Sequence, residues 1–257
     1  MPVVPPTPLE LAILAVVGLV AGAVNTVAGA GSLLLLPALI FTGLPPDAAN
    51  ATNRIGIVFQ TSAAVWGYRQ AGLSLGRTEL ALTVAAMLGG AVGSFLATLL
   101  SADQTRIAIV ICMGVMLVLS LVPRKKGTPE EEARRTLPEV TPGMLAGFFG
   151  IGVYGGFLQA GVGILALLFL SLVFRAGLVA SNVVKSTATL GLTIVAIGMF
   201  AARGETLDLA RGGVLALSSA IGGYAGAKAT VRLGERVVRI GIVLAVSLSM
   251  IKLLWDM

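Results

Sequence analysis

The stretch that decides the fold runs from Gly22 to Arg54 and reads GAVNTVAGAGSLLLLPALIFTGLPPDAANATNR. Apolar residues dominate it, but Gly29 and Gly31 stand one residue apart near its middle. Glycine tolerates positive φ and weakens a helix by about 1 kcal/mol relative to alanine, so this pair predicts a break in a hydrophobic helix. Inside a membrane, a break persists only where protein or a wet cavity satisfies the freed backbone groups. The stretch is therefore predicted to form a substrate site.

The composition of the whole chain indicates that this break lies in a membrane. Hydrophobic residues make up 56% of the 257 residues, charged residues make up 12%, and the mean hydropathy is +0.96. An ordinary soluble domain carries about a quarter charged residues. Several apolar stretches approach the length of about 20 residues that a bilayer requires. We therefore expect an all-α polytopic membrane protein.

The chain lacks the side chains that most enzymes and metal sites use. It contains no histidine and one cysteine, Cys112, which argues against the usual zinc sites and excludes a disulfide within one chain. No histidine or mid-span acid is present to activate a nucleophile, so we expect neither an enzyme nor a bound cofactor or metal. The basic residues behind the net charge of +6 lie mainly in loops, which is typical of a membrane protein and does not indicate nucleic-acid binding.

An internal repeat divides the chain into two halves. The offset that places Gly29 on Gly161 also places Gly31 on Gly163. The same offset pairs further residues, namely Asn50 with Asn182, Asn53 with Lys185 and Gly72 with Gly204. Later the offset slips by a single position and pairs two glycine clusters, Gly89, Gly90 and Gly93 with Gly222, Gly223 and Gly226. We interpret these two clusters as surfaces for close helix packing.

Each half is predicted to hold five hydrophobic helices: a first helix, a short second one beyond the break, and three longer ones. In the first half they span about residues 9–27, 32–41, 47–68, 78–100 and 104–122, with boundaries good to several residues. The expected organisation is a first transmembrane repeat over 1–122, a cytoplasmic linker over 123–142 and a second transmembrane repeat over 143–257. Broken or re-entrant helices are expected at Gly29-Gly31 and Gly161-Gly163. An odd number of crossings per half makes the repeats inverted, as in many secondary transporters.

The basic residues predict the orientation. Eleven lysines and arginines lie in the linker and in loops on its side, against four on the other side. They are Arg69, Arg77, Arg124, Lys125, Lys126, Arg134, Arg135, Arg175, Arg232, Arg236 and Arg239, against Arg106, Arg203, Arg211 and Lys252. Because positive loops stay in the cytoplasm, the linker is expected to be cytoplasmic and both termini to lie outside.

Polar residues cluster at the start of the third helix of each half. Asp47, after the Pro45-Pro46 turn, is predicted to cap the first of these helices. The polar residues that follow are Asn50, Thr52, Asn53 and Arg54 in the first half and Ser181, Asn182 and Lys185 in the second. Helix N-termini suit anions, so two such starts facing each other across a pseudo-two-fold axis would form a cationic pocket for a small oxyanion.

Simpler roles exist for several of these residues. Arg54 and Lys185 lie near helix ends and could extend their charges to the membrane interface. Asn25 and Gln159 could hydrogen-bond between helices without touching a substrate. A charge at the bilayer centre costs about 3 kcal/mol on insertion scales, which disfavours chance placement of both cations there.

The run NTVAGAGSLLLLPALIFTGLPPDAANATNR, from Asn25 to Arg54, resembles the signature of the sulfite exporter TauE/SafE family, also called the toluene sulfonate uptake permease family. The resemblance covers nearly the whole chain, with a weaker second copy of the motif. It implies a multi-pass protein of the bacterial cell inner membrane, with periplasmic termini, that transports small sulfur-containing anions such as sulfite, thiosulfate or organosulfonates. Carried over by motif, the residues that would line the site are Asn25, Gly29, Gly31, Ser32, Asn50, Thr52, Asn53, Arg54, Gln159, Gly161, Gly163, Asn182 and Lys185.

The expected function is therefore export of a small sulfur oxyanion or sulfonate through the lipid bilayer. An inside-negative potential drives each negative charge outward by about 2.3 kcal/mol per 100 mV, so no carboxylate proton relay is required. Uptake of an organosulfonate is an alternative, in which Tyr154 and Phe157 would accommodate a carbon tail. A membrane scaffold or sensor that transports nothing is a third hypothesis. The sequence leaves open whether the glycine surfaces pack within one chain or form a homodimer.

Overall fold

The structure is a computed structural model that describes residues 5–73, 76–120, 137 and 139–230. Every regular element in these residues is helical. The first half contains α1 (Pro8–Ala28), α2 (Ser32–Phe41), α3 (Pro46–Gln70), α4 (Arg77–Ala97) and α5 (Ala102–Ser120). The second half contains α6 (Pro142–Phe157), α7 (Val162–Leu168) with a π-helical continuation (Phe169–Val173), α8 (Leu178–Ala202) and α9 (Leu209–Thr230).

The helices are those of an integral membrane protein. Within the described residues, α1, α4, α5 and α8 are long and apolar enough to cross a bilayer. Large hydrophobic side chains face outward from the bundle, for example Leu80 at 65% and Leu217 at 73% exposure. The helices α3 and α9 have 25 and 22 residues, yet they do not meet the same criteria of apolarity. The bundle thus has an apolar exterior and two long helices of mixed polarity.

Both predicted helix breaks are present. The helix α1 ends at Ala28, Gly29 adopts a left-handed φ of 78°, and α2 begins at Ser32. The helix α6 ends at Phe157, after which Gln159 and Gly161 adopt φ values of 59° and 72° before α7 begins. Left-handed backbone cannot continue a right-handed helix, so the chain changes direction at each of these positions. The prediction of two broken helices is confirmed.

The repeat is also visible in the backbone. Three pairs of residues with positive φ are related by the offset found in the sequence: Gly29 and Gly161, Gly43 and Arg175, and Gly72 and Gly204. The first residues of α3 and α8, Pro46 and Leu178, are related by the same offset, and each helix contains 25 residues. The two halves therefore place their turns and their longest helices at equivalent positions.

The helices α3 and α8 pack antiparallel at the centre. Arg54, near the start of α3, contacts Phe200 near the end of α8, whereas Tyr68, near the end of α3, packs in one cluster with Val183 near the start of α8. Around this pair, α9 packs on α1 and α3, and α4 packs on α6 and α8. Since α9 is the counterpart of α4, each half supplies the helix that covers the other half's first and third helices.

The glycine clusters form close helix contacts, as predicted. A Cβ atom on Gly93 of α4 would lie 2.8 Å from the backbone nitrogen of Phe157 in α6. A Cβ atom on Gly226 of α9 would lie 2.8 Å from the carbonyl oxygen of Ala23 in α1. Ordinary Cβ contacts are longer than this, so only glycine permits the helices to approach so closely.

Two sequence predictions need qualification. The helix α3 begins at Pro46 with Pro45 as its N-cap, so Asp47 is not the cap; its carboxylate accepts a hydrogen bond of 2.9 Å from the N–H of Ala48. The proline ring fixes φ in a helical range and thereby starts the helix one residue earlier. Most of the predicted linker and the predicted last helix of the second repeat lie outside the described residues, in 121–136, 138 and 231–257.

Candidate functional site

The two helix breaks meet at the centre of the bundle. A Cβ atom on Gly163 would lie 2.5 Å from the Cα of Gly29, so the two breaks touch through backbone alone. Ser32, the first residue of α2, connects the same two segments. Its Oγ donates to the carbonyl of Gln159 and accepts from the N–H of Gly161, both at 2.9 Å. The breaks therefore form one polar backbone unit contributed by both halves.

Arg54 of α3 binds the end of α6. Its side chain is fully buried, at 0% exposure. Nη1 donates to the carbonyl of Gly155 at 3.0 Å and to Oε1 of Gln159 at 2.7 Å. Nη2 donates to the carbonyls of Gly156 at 2.6 Å and Phe157 at 3.4 Å. The last carbonyls of a helix have no partner within the helix, so Arg54 satisfies three of them.

Lys185 of α8 does the same for the end of α1. Its Nζ donates to the carbonyls of Asn25 at 2.8 Å and Thr26 at 2.7 Å, and to Oδ1 of Asn182 at 2.6 Å. Like Gly155 and Gly156, whose carbonyls Arg54 binds, Asn25 and Thr26 lie in the last turn of a helix that ends at a break. Each half thus provides a cation that completes the broken helix of the other half.

The surroundings of Arg54 leave part of its charge uncompensated. All four of its hydrogen-bond acceptors are carbonyl or amide oxygens. No carboxylate of the described residues lies within ion-pair distance of it. A helix C-terminus carries only about half of a negative charge, so a net positive charge remains at the break. The guanidinium also lies 4.7 Å from the ring centroid of Phe200, which shields one of its faces from water.

The arrangement of the two cations differs from the predicted single pocket. Because α3 and α8 are antiparallel, their starts lie at opposite ends of the pair. Arg54 contacts Phe200 and, through Gln159, Thr193, and these two residues follow Lys185 on α8 by fifteen and eight positions, which corresponds to about 12–22 Å of helix rise. The prediction that the two helix starts face each other is wrong. There are two cationic half-sites, one for each broken helix: the Arg54 half-site at the end of α6 and the Lys185 half-site at the end of α1.

The Arg54 half-site contains polar atoms without partners. Both amide atoms of Asn53, Oδ1 of Asn50 and Nε of Arg54 are buried and have no hydrogen-bond partner among the described residues. The other amide atom of Asn50 donates to the carbonyl of Phe157 at 2.9 Å. Buried polar groups in native proteins nearly always have a partner. Their cluster on one segment of α3 therefore indicates a place where a ligand or water binds.

Several predicted site residues make contacts that stabilise the fold. Oδ1 of Asn25 accepts the N–H of Gly31 at 3.1 Å and so stabilises the turn into α2. A Cβ atom on Gly161 would lie 2.9 Å from Cγ of Met116 in α5. The hydroxyl of Thr52 accepts the N–H of Asp208 at 3.0 Å, in the loop between α8 and α9. Thr52 is two residues from Arg54 and therefore lies on another face of the helix.

Two other residues at the site, Thr193 and Phe200, do not belong to any motif in the sequence. Thr193 of α8 accepts a hydrogen bond from Nε2 of Gln159, whose Oε1 accepts from Arg54. Lys185 lies in the polar start of α8, and Phe200 lies fifteen positions later, near the end of that helix. The ring of Phe200 contacts Arg54 because α3 and α8 are antiparallel. Local sequence gives no signal for such partners.

The aromatic rings expected to accommodate a carbon tail pack against α5. Tyr154 and Phe157 pack against an apolar cluster that contains Met113 and Met116 of α5. The hydroxyl of Tyr154 donates to the carbonyl of Ala160. Within the described residues, the ring in contact with the Arg54 guanidinium is that of Phe200.

Comparison with known proteins extends these findings. A sequence model described as "Sulfite exporter TauE/SafE" matches residues 14–253. The chain is 28% identical over 260 residues to a protein of Escherichia coli K12 described as "Probable membrane transporter protein YfcA", covering 97% of this chain and 91% of that protein. It is 28% identical over 252 residues to a "Probable membrane transporter protein" of Haemophilus influenzae, covering 96% and 95% of the two chains. A protein of Sinorhizobium sp. described as "Probable membrane transporter protein ORF9" is 26% identical over 252 residues, with coverage of 96% and 93%.

Proposed function

Because this chain belongs to the sulfite exporter TauE/SafE family and is a membrane transporter, we propose that it exports small sulfur-containing anions such as sulfite, thiosulfate or organosulfonates. The observation that carries this proposal is the Arg54 half-site. A fully buried guanidinium with only neutral oxygen acceptors belongs to the residue that follows Asn53 on α3, and the two amide atoms of Asn53 have no partner in the described structure. A charge buried within a membrane is energetically costly, so its presence there indicates a functional role.

The geometry of Arg54 suggests how an oxyanion binds. Arginine pairs with oxyanions through two parallel N–H groups. Nε of Arg54 has no partner in the described residues, and the contact from Nη2 to the carbonyl of Phe157 is its longest, at 3.4 Å. An anion that accepts from Nε and Nη2 therefore displaces only this weak contact. The amide of Asn53 supplies a further donor, while the bonds from Arg54 to the carbonyls of Gly155 and Gly156 continue to hold the broken helix.

The packing supports inverted repeats that move against each other. Equivalent helices of the two halves, α3 and α8, are antiparallel, and each half's cation binds the other half's broken helix. In inverted-repeat transporters the substrate binds near the midplane at broken helices, and the halves alternate between two arrangements. In this proposal the contact between Gly29 and Gly163 is the fixed centre, and the bonds of Arg54 and Lys185 change as the site opens to either side.

The proposed orientation follows the basic residues. Arg69 and Arg175 lie at the end of the α3–α8 pair where α3 ends and α8 begins, whereas Arg203 lies at the opposite end. Together with the basic linker, the first end is assigned to the cytoplasm of the bacterial inner membrane, which leaves both termini in the periplasm. An inside-negative potential then drives the bound anion outward.

Uptake of an organosulfonate is the second candidate function. The ring of Phe200 beside the Arg54 guanidinium provides an apolar surface for a carbon tail. Growth on a sulfonate as the only sulfur source would separate this function from export. Loss of that growth on deletion indicates uptake, whereas increased sensitivity of the deletion strain to sulfite indicates export.

The test is flux from liposomes that contain the purified protein, loaded with sulfite and held at a set membrane potential. The informative variant is Asn53→Leu, because the side-chain amide of Asn53 has no hydrogen-bond partner within the described structure and its removal leaves the bonds of Arg54 intact. Thr61→Val is the matched control, since the hydroxyl of Thr61 bonds only within α3. We expect Asn53→Leu to lower potential-driven flux by about ten-fold or more at unchanged stability, which is the effect of one lost hydrogen bond to a charged group. Folded wild-type protein that moves neither sulfite, thiosulfate nor sulfoacetate would disprove the proposal.

A further inference from the structure

A second set of unpartnered polar atoms lies between α3 and α9. Gln60 of α3 is 1% exposed and Ser219 of α9 is 0% exposed. Oε1 of Gln60 and Oγ of Ser219 have no hydrogen-bond partner in the part of the chain that the structure describes. We call this interface, with Asn53, Gln60 and Ser219, the α3–α9 seam.

The three residues follow one line along the seam. Asn53, Gly56 and Gln60 are spaced by three and four residues and therefore share one face of α3. A Cβ atom on Gly56 would lie 3.5 Å from Oγ of Ser219, and one on Gly223 of α9 would lie 2.9 Å from Cγ of Gln60. The line runs from the Arg54 half-site for about seven residues, or about 10 Å of helix rise.

The other half of the molecule shows that packing does not require these polar residues. The equivalent interface lies between α8 and α4, where Leu192 occupies the position of Gln60 and Ala86 that of Ser219. The glycine contact is also equivalent, because a Cβ atom on Gly90 would lie 3.0 Å from Cβ of Leu192. Leu192 and Ala86 belong to a buried apolar cluster. The same helix contact thus forms with apolar residues in one half and with unpartnered polar residues in the other.

Unpartnered buried polar groups destabilise the folded state, so a seam that only packed would favour leucine and alanine. The two helices that form the seam are also the long described helices that fail the criteria for an apolar membrane span. Both observations indicate that the seam contacts something polar.

We infer that the α3–α9 seam is a second station for the transported anion, on the route between the cytoplasmic end of α3 and Arg54. This inference rests on the proposed function. Amide and hydroxyl groups are neutral and can both donate and accept, so they can bind an oxyanion and its accompanying water without holding them tightly. A transport route requires sites that bind well enough to admit the ion and weakly enough to release it. Arg54 supplies the stronger binding site, and the neutral seam supplies a weaker site that admits the anion and passes it on to Arg54.

The experiment replaces the polar residues of the α3–α9 seam with those found at the equivalent positions between α8 and α4. The double variant Gln60→Leu with Ser219→Ala is measured in liposomes with sulfite over a range of concentrations, together with its thermal unfolding in detergent. Ser218→Ala is the control, because the hydroxyl of Ser218 on the same helix is already bonded to the carbonyl of Val214 at 2.8 Å. We expect the maximal flux of the double variant to fall by about ten-fold or more. We also expect its half-saturating sulfite concentration to stay within about two-fold of wild type, since Arg54 still binds the anion, and its unfolding midpoint to be equal or higher.

Two results would overturn the inference. One is wild-type maximal flux in the double variant, and the other is a flux loss accompanied by a lower unfolding midpoint, which would make Gln60 and Ser219 packing residues. A wild-type protein that moves no sulfur anion would instead disprove the proposed function itself. Retained flux in the double variant, beside an active wild type, would reject only the seam.

Discussion

Gly29 of the first half and Gly163 of the second are in backbone contact, so that a Cβ atom on Gly163 would lie 2.5 Å from the Cα of Gly29. The two broken helices can therefore approach each other only without side chains at these positions. The contact also sets the spacing at which Ser32 reaches across to Gln159 and Gly161. The centre of the bundle is thus defined by two glycines and one serine.

Alanine at Gly29 should be far more disruptive than alanine at another left-handed glycine. Gly29 has φ 78° and faces the backbone of Gly163, whereas Gly43 has φ 87° and open space around it. Gly43→Ala should cost about 1–2 kcal/mol from left-handed strain alone. Gly29→Ala should cost about 1–3 kcal/mol more through overpacking. Denaturant unfolding in detergent measures both; equal losses would contradict the close contact.

Removal of the Arg54 side chain should loosen the end of α6. Arg54→Met leaves the carbonyls of Gly155 and Gly156 without their donors, so we expect a destabilisation of about 3 kcal/mol. Hydrogen exchange of residues 158–164 should increase before that of the rest of the bundle. Arg203→Met is the control, because Arg203 is exposed and its guanidinium lies over the ring of Phe95, away from the helix breaks in sequence. Unchanged exchange in Arg54→Met would show that Arg54 is not the cap of α6.

Glycine should be favourable at Arg175. This residue has φ 52° and occupies the position equivalent to Gly43. Arg175→Gly relieves left-handed strain of about 1–2 kcal/mol and loses part of the gain to the greater freedom of the unfolded chain. The expected net stabilisation is about 0.5–1 kcal/mol in a detergent unfolding experiment. A loss of stability would mean that the arginine side chain contributes more than the strain costs.

Asp208 should be essential for the connection between the two halves near the start of α3. Arg211 forms an ion pair with Asp208 and donates to the hydroxyl and carbonyl of Thr42, and both charged residues are nearly buried. Asp208→Asn keeps the shape but removes the negative charge from the ion pair with Arg211. We expect a loss of about 3 kcal/mol in unfolding free energy, as for other broken buried pairs. A loss below about 1 kcal/mol would identify the pair as solvent-screened.

Neutralisation of Glu205 should stabilise the protein at neutral pH. Partial burial of Glu205 and the nearby charge of Asp47 raise its pKa above the usual value of 4.5, and Arg203 offsets this only in part. The folded state therefore binds the proton more tightly, and ionisation costs stability as the pH rises above 4.5. Glu205→Gln should unfold at a higher temperature than wild type at pH 7, and the difference should disappear below about pH 4.5. A difference that is constant with pH would exclude this explanation.

The sequence predicts the helices well because their determinants are local. Apolar length, the Gly29 and Gly31 pair and the Pro45-Pro46 turn lead to bounds within a few residues of those observed, and Ser32–Phe41 matches the prediction. The offset that pairs Gly29 with Gly161 and Gly72 with Gly204 relates turns that the structure confirms, whereas the equivalent turn at Arg175, where the second half has no glycine, is seen only in the structure.

The site is predicted less completely because its partners come from distant segments. The sequence identifies Arg54 and Lys185 as important but cannot show that each binds a helix end in the opposite half. Thr52 belongs to the same motif as Asn53 and Arg54, but it lies on a different face of α3 from Arg54. Its hydroxyl therefore accepts the N–H of Asp208. Gln60 and Ser219 become notable only when Leu192 and Ala86 are seen in the same positions of the other half.

Each half supplies the cation that binds the broken helix of the other half, and this arrangement has a consequence for biosynthesis. The carbonyl of Asn25 already accepts the N–H of Gly29 within the first half, but the first half is made before Lys185 exists, so the carbonyl of Thr26 enters the membrane without the donor that later binds it. Because hydrocarbon offers no substitute, α1 must remain at the insertion machinery or close to water until α8 is synthesised. A chain that terminates within the linker would carry this defect permanently, and the cell's membrane proteases would have a chemical reason to recognise it.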